Sequence, residues 1–347
     1  MSDSAWEALS NQAVAAAGLV YFLALLAHLV EWSALRKVPV EAGARETATV
    51  GAGGPAAPAY GASAEPAAGS EGPDHEHRID LFGRIGFSLT VVAGLVHAVS
   101  LLARGMAADP NRVPWGNMYE FTLSGTFVVT LLYVVMRRRL GLSWMAPLVV
   151  GFVLVLLMVD VIWLYAPVSP LTEALNSPWL VIHVVSAVIA TGAFSLGGIC
   201  SVLYLLKERS ITKGRESSTG YLSRVPSLAV LDRVSYRLHA FAFPVWTFAV
   251  LITGPIWAHQ AWSNYWNWDP KEVWAFITWV VYAAYLHARS TAGWKGRNAA
   301  YLALLGTATL WFNFIGINFF STTSQHSYAA PEPAPVVAEA PVLAGGA

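Results

Sequence analysis

Eight stretches of this chain are apolar and about as long as a helix must be to cross the hydrocarbon core of a bilayer, roughly 20 residues. They run from Val14 to Trp32, Ile85 to Leu102, Phe121 to Met136, Trp144 to Tyr165, Trp179 to Leu206, Leu238 to Trp257, Val273 to Leu286 and Ala299 to Phe320. In lipid only helices and closed barrels can satisfy every backbone polar group, and runs this long and continuous are helices. The expected fold is therefore all-α: a polytopic integral membrane bundle of about eight transmembrane helices. Composition agrees, for 56% of the residues are hydrophobic, 12% are charged and the mean hydropathy is +0.51.

The 21 basic and 21 acidic residues cancel, so no bulk charge draws the chain to nucleic acid. Where the charges fall is more informative. All but three of the 21 Lys and Arg residues lie in alternate loops: Arg36 to Arg84, Arg137 to Arg139, Lys207 to Arg237 and Arg289 to Arg297. Arg104, Arg112 and Lys271 are the exceptions. Positive loops stay in the cytoplasm, which places both termini, and the loops after helices 2, 4 and 6, outside it. The chain then divides into an N-terminal transmembrane helix (residues 1–36), an Ala/Gly/Pro-rich cytoplasmic linker (37–78), a membrane domain (79–328) and an external tail (329–347). Linker and tail lack the apolar content to bury a core and are expected to be unstructured. No cleavable signal peptide is expected, because the first apolar run lacks a basic leader and an A-x-A site. The single cysteine, Cys200, excludes an internal disulfide and a CxxCH haem-attachment site.

Six of the 15 tryptophans fall between Trp257 and Trp279, in WAHQAWSNYWNWDPKEVWAFITW. An aromatic belt at a membrane interface is one explanation. Belts, however, spread their anchors over many helix ends, whereas a cluster in one loop offers a flat apolar surface to a flat apolar ligand. Trp257, Trp262, Trp266, Trp268 and Trp274 make up that platform together with Asp269, Lys271 and Glu272. Asp269, Pro270 and Glu272 also read as a helix start, with Asp at the cap, Pro at the first position and Glu at the third. Lys271 does not fit capping, because a cation is unfavourable at a helix N-terminus. It could pair with a carboxylate.

The run WAHQAWSNYWNWDPKEVWAFITWVVYAAYLHAR resembles the WWD domain of the CcsA/ResC cytochrome c biogenesis family, which is named CcsB in some bacteria. PWGNMYEF at Pro114, SPWLVIHV at Ser177, SYRLHAFAFP at Ser235 and INFF followed by HSY at His326 are similar to the same family and occur in its order. Ser263 stands where the family usually has Gly. The resemblance spans about Gly83 to Tyr328. It implies a haem-handling protein in the cytoplasmic membrane, with its tryptophan loop on the outer side and haem b as non-covalent cargo.

Haem iron takes axial imidazole readily. His183, early in helix 5, and His326, after helix 8, both fall at the outer surface level with the loop, and the resemblance implies that they are the external haem ligands. His287 lies near the cytoplasmic end of helix 7 above the small face of Val280, Ala283 and Ala284. That face also suits close helix packing, but a family histidine at the matching position binds a second haem inside the membrane. The other ligand of that inner haem stays open. His239 matches it best in depth, His28 and His97 lie on helices 1 and 2, and a ResB-type partner subunit could supply it instead. His259 adjoins the loop, and His75 and His77 read as solvated.

No side chain here reads as a nucleophile or general base, so any catalysis would be positioning. The resemblance implies the transmembrane half of a System II holocytochrome c synthase, in which a ResB-type partner and this chain bring haem to an apocytochrome c CxxCH segment. Alternatives are a CcmC-type haem-delivery subunit and a b-type membrane electron carrier. The latter needs His pairs at matched depth and leaves the loop unexplained. A solute transporter would call for internal repeats, and none is evident.

Overall fold

Each long apolar run is a helix in the computed structural model, which describes residues 1–35, 73–171, 175–214, 221–291, 293–321 and 323–325. Most of the expected linker, the tail and His326 lie outside the described residues. In chain order the helices are α1 (Asp3–Leu35), α2 (Pro73–Met106), α3 (Met118–Leu140), α4 (Ala146–Val159), α5 (Pro178–Thr212), the short α6 (Tyr221–Arg224), α7 (Leu228–Thr247), α8 (Gly254–Trp262), α9 (Pro270–Ser290), α10 (Arg297–Trp311) and the short α11 (Ile317–Phe320). Three π-helical segments interrupt or extend them: Asp160–Leu164 after α4, Phe248–Thr253 between α7 and α8, and Phe312–Gly316 between α10 and α11. No strand occurs among the described residues. α2 starts at Pro73, so the last residues of the expected linker are helical.

Among the described residues, seven helical stretches are long and apolar enough to cross a membrane. The eighth expected run, α9, has the length, 21 residues or about 31 Å, but also carries Lys271, Glu272, His287 and Arg289. Its neighbours show that it runs the full depth of the bundle, antiparallel to both α7 and α10. Arg289 pairs with Asp232 at 2.6 Å near the start of α7, and Trp279 donates to Thr247 at that helix's end. Along α10, Tyr282 meets Thr307 and Trp274 packs on Phe312. The charges of α9 sit in its end turns, where a spanning helix can bring them to the interface.

α5 is the spine on which two cores meet. One core gathers Tyr21, Leu123, Tyr133 and Leu157 from α1, α3 and α4, with Met145 of the turn before α4, against Leu196 and Cys200 of α5. The other gathers Trp246, Tyr282, Tyr285 and Leu310 from α7, α9 and α10 against Ala193 and Phe194. Glycines on α5 allow the close approach. A Cβ at Gly197 would stand 2.4 Å from His239 of α7, and one at Gly198 would stand 2.9 Å from Thr307 of α10. Packing of small residues supplies the helix–helix attraction that lipid does not.

One end of the bundle is tied by ions. Arg104 of α2, with no exposed side-chain surface, donates to Glu120 at 3.1 Å and lies 3.5 Å from Glu7 of α1. Arg112 donates to the other oxygen of Glu120 at 2.7 Å. The PWGN turn closes around the same carboxylate: the Gly116 amide donates to it, and Asn117 caps α3 by accepting from the Glu120 amide. Two of the three basic residues that break the loop pattern are thus committed to Glu120. Removing one partner of a buried ion pair typically costs about 3 to 5 kcal/mol. Glu120→Ala should accordingly lower the thermal unfolding midpoint of the purified protein in detergent markedly, and an unchanged midpoint would show that the cluster holds nothing together.

Candidate functional site

A cavity of about 1140 Å³, counted to its open mouth, lies at the same end of the bundle as the tryptophan loop. Its wall is assembled from the start of α3, the first turns of α5, the Phe248–Thr253 segment with α8, the loop before α9, and the Phe312–Gly316 segment. Aromatic rings dominate it: Trp115, Phe121, Trp246, Trp257, Tyr265, Trp266 and Phe314 all face the space. The polar groups that join them are few: His183, Lys271, Glu272, Asn117, Asn313 and Thr191.

His183 is half-buried in this wall. Ser177 caps α5 by accepting from the Trp179 amide, and Pro178 occupies the first helical position, which places His183 in the second turn. The ring lies nearly parallel to Trp257, 16° between planes and 5.9 Å between centroids. Its Nδ1 is 2.9 Å from the Ala249 carbonyl. A carbonyl only accepts, so Nδ1 carries the proton and the lone pair of the neutral ring is on Nε2, the arrangement that prepares an imidazole as a metal ligand. Ala249 lies in the π-helical segment, and its carbonyl also accepts from the Gly254 amide and from Thr253 Oγ1 at 3.1 Å. A Cβ at Gly254 would stand 3.2 Å from the imidazole, so that glycine leaves room for the ring.

The loop before α9 is fixed by the expected helix start. Asp269 accepts from the Lys271 amide at 3.0 Å, and Glu272 reaches back to accept from the amides of Asp269 at 3.2 Å and Asn267 at 2.9 Å, forming a full capping box. Ser263 has φ 60°, a left-handed conformation that glycine adopts without strain. Asp269 has a second role that its position at a cap does not suggest. Its two oxygens also accept from Ser324 Oγ and the Gln325 amide, each at 2.7 Å, so the carboxylate binds the segment that leads into His326. Lys271, unexplained by capping, donates to Asn318 beyond α10 at 3.0 Å while lining the cavity.

The expected platform divides. Trp257, Trp266, Lys271 and Glu272 line the cavity, whereas Trp262 packs edge-on behind Trp257 and Trp274 packs on Phe312. Trp268 has φ 57° and is 72% exposed, projecting away from the bundle. The histidines divide as well. His239 is buried beside Tyr282 and Tyr285 of α9, and its Nδ1 lies 2.7 Å from the Ser235 carbonyl. His287 is exposed on another side of α9, so the two do not share a site. His97 lies between Tyr21 and the Leu123 carbonyl, and His28 bonds Glu31. His259 stacks on Tyr265, and His77 is exposed.

Several wall residues went unnoticed in the sequence: Trp115, Phe121, Trp246, Asn313 and Phe314. Trp115 and Phe121 belong to the PWGNMYEF run, whose sequence does not show which of its rings reach the wall. Asn313 carried a usable signal, a polar side chain inside an apolar span. It is buried, and its Oδ1 has no hydrogen-bond partner among the described residues.

Residues 115–324 match the family described as cytochrome C assembly protein. A "Cytochrome c biogenesis protein CcsA" of Guillardia theta is 32% identical over 260 residues, covering 70% of this chain and 85% of its own. Proteins of the same name from Synechococcus sp. (strain JA-3-3Ab) and Gloeobacter violaceus are 30% and 31% identical, each over 72% of this chain and 87% and 88% of their own. Among solved structures, a "Cytochrome c Heme Lyase CcmF" shares the fold with a TM-score of 0.55 at 16% identity, over 91% of this chain. This chain spans about half of that protein, 49%.

The double use of Asp269 gives a test. Asp269→Ala removes a cap, which typically costs about 0.5 to 2 kcal/mol, and also frees Ser324 and Gln325. Ser324→Ala leaves the cap intact. Limited proteolysis should therefore cut near residue 325 faster in both variants, while only Asp269→Ala lowers the unfolding midpoint. Equal cutting of Asp269→Ala and wild type would refute the second role.

Proposed function

This chain belongs to the cytochrome c assembly protein family, and from that premise we propose that its cavity holds haem b on the outer side of the cytoplasmic membrane for attachment to apocytochrome c. The observation that carries the reading is His183: an imidazole in an aromatic-walled cavity, with its Nδ1 proton committed to the Ala249 carbonyl and its lone pair on Nε2. A porphyrin needs flat apolar walls, an axial ligand and a cation for its carboxylates. Trp257 and Trp266, His183 and Lys271 match that set. His326, which follows the Ser324 and Gln325 pair held by Asp269, is the second axial ligand in this reading.

The finer assignment is to a System II synthase with a ResB-type partner. Each apocytochrome cysteine adds its sulfur to one carbon of a haem vinyl group and its proton to the other, so neither oxidant nor reductant is consumed. The contribution of this chain is to hold the iron and the porphyrin plane while the CxxCH segment approaches. His287, exposed on α9, suits a second haem site completed by another subunit, and its exposure supports that choice over a pairing with His239.

His183→Ala and His326→Ala should abolish cytochrome c maturation in cells while the protein accumulates, and added imidazole should restore part of it by filling the open axial position. Normal maturation in both variants would rule the pair out. Topology is checked separately: reporter fusions after Arg139 or Lys213 should read cytoplasmic, and fusions within Ala258 to Asn267 or after Tyr328 external. The opposite pattern would put the loop on the wrong side for this function.

A further inference from the structure

A second chamber of about 470 Å³, counted to its open side, lies beside the cavity among α3, α4, α5 and α10. Phe121, Thr191 and Phe314 line both spaces. Phe121 and Phe314 stack at 5.1 Å and 30°, so these two rings form the partition. At the opposite side the wall is Phe152 and Leu156 of α4 and Trp311 of α10. These three are only half-buried, and Phe152 meets Trp311 edge to face at 5.9 Å. The chamber thus lies in the seam between the two cores and extends toward the outside of the bundle, where lipid surrounds the spanning helices.

Two features indicate what the chamber takes. Thr122 and Ser195 line it, are 7% and 5% exposed, and have hydroxyls without a hydrogen-bond partner among the described residues. A buried hydroxyl left unpaired among apolar groups is costly. A lipid acyl chain offers it nothing, whereas a carboxylate accepts its hydrogen bond. The second feature is Gly125, which also lines the chamber and has no atom within 4 Å of where a Cβ would stand. At that point the α3 backbone itself is the wall, a surface on which a flat ring can slide.

We infer that the α4–α10 seam is a side passage by which a flat, apolar macrocycle bearing carboxylates moves from the bilayer into the outer cavity. Trp311 and Phe152 form its lipid-side constriction, and Phe121 and Phe314 form its inner gate. In this route the ring side chains rotate to widen both. The inference rests on the haem reading above and adds a route to the cavity that bypasses the cytoplasmic end of the bundle.

Gly125→Phe tests it, because the new ring would project into open space and fill the passage while leaving the cavity wall untouched. The full chain, reconstituted in vesicles with its co-purifying partners, is supplied with haem either dissolved in the lipid or carried by a soluble protein in the outer solution. Uptake is read as the haem absorbance that His183→Ala abolishes. Gly125→Phe should slow lipid-fed uptake by about tenfold or more, since a well-packed plug opens only through rare excursions, and should leave solution-fed uptake unchanged. Trp311→Ala, which removes half of the lipid-side constriction, should speed lipid-fed uptake. Lipid-fed uptake at the wild-type rate in Gly125→Phe, or no gain in Trp311→Ala, would overturn the passage. If wild type takes up haem from solution but not from lipid, the passage fails and the haem site stands. Failure of wild type with both sources would overturn the haem reading itself.

Discussion

A helix in hydrocarbon has to satisfy its backbone within itself, and where the ladder changes register this chain turns backbone groups and side chains toward its cavity. Two of its three π-helical segments are spent at the cavity. Phe248–Thr253 turns the Ala249 carbonyl toward His183, and Phe312–Gly316 brings Asn313 and Phe314 to the wall. The bundle is otherwise regular, with glycine contacts on α5 drawing α7 and α10 close. Regular packing supplies the rigid frame, and its local interruptions supply the chemistry.

The tryptophan loop is held in a similar way from its edge. Asp269 caps α9, Glu272 ties the loop amides back to the same turn, and the Asp269 oxygens also hold Ser324 and Gln325. Lys271 reaches Asn318 across the same gap. Polar residues at the cavity mouth therefore link two distant parts of the chain, the loop with the start of α9 and the segment from α11 to Gln325, around an apolar interior. The ion cluster of Glu120 does the corresponding work for α1, α2 and α3, and its PWGN turn places Trp115 in the wall. Anchors are polar and lie at the rim, whereas the cavity-facing surface is aromatic.

The division of the eight expected platform residues follows from helix geometry. Trp257 and Trp266 reach the cavity, whereas Trp274, one turn into α9, faces α10. Trp268 takes a left-handed backbone conformation, which turns it outward. Density of tryptophan in the sequence drew attention to the region but carried no information on which rings face the cavity, because that depends on backbone conformation in a loop with no period.

Hydrophobic runs by themselves determined the helices, since lipid leaves the backbone one solution, and the Asp269, Pro270 and Glu272 start fixed the capping of α9, whose bonds close within its own turn. The loop and His183 were legible for the same reason: the features that mark them are local in the chain. Tertiary structure alone decided the rest. It set His239 against Tyr282 and Tyr285 with His287 on another side of α9, brought Phe121 and Phe314 into one partition, and laid Ser324 and Gln325 on Asp269. Those contacts join residues up to 193 positions apart, as with Phe121 and Phe314, and they depend on the azimuth at which each helix faces its neighbours. In a span apolar nearly all round, no hydrophobic stripe records that azimuth, so only packing could settle it.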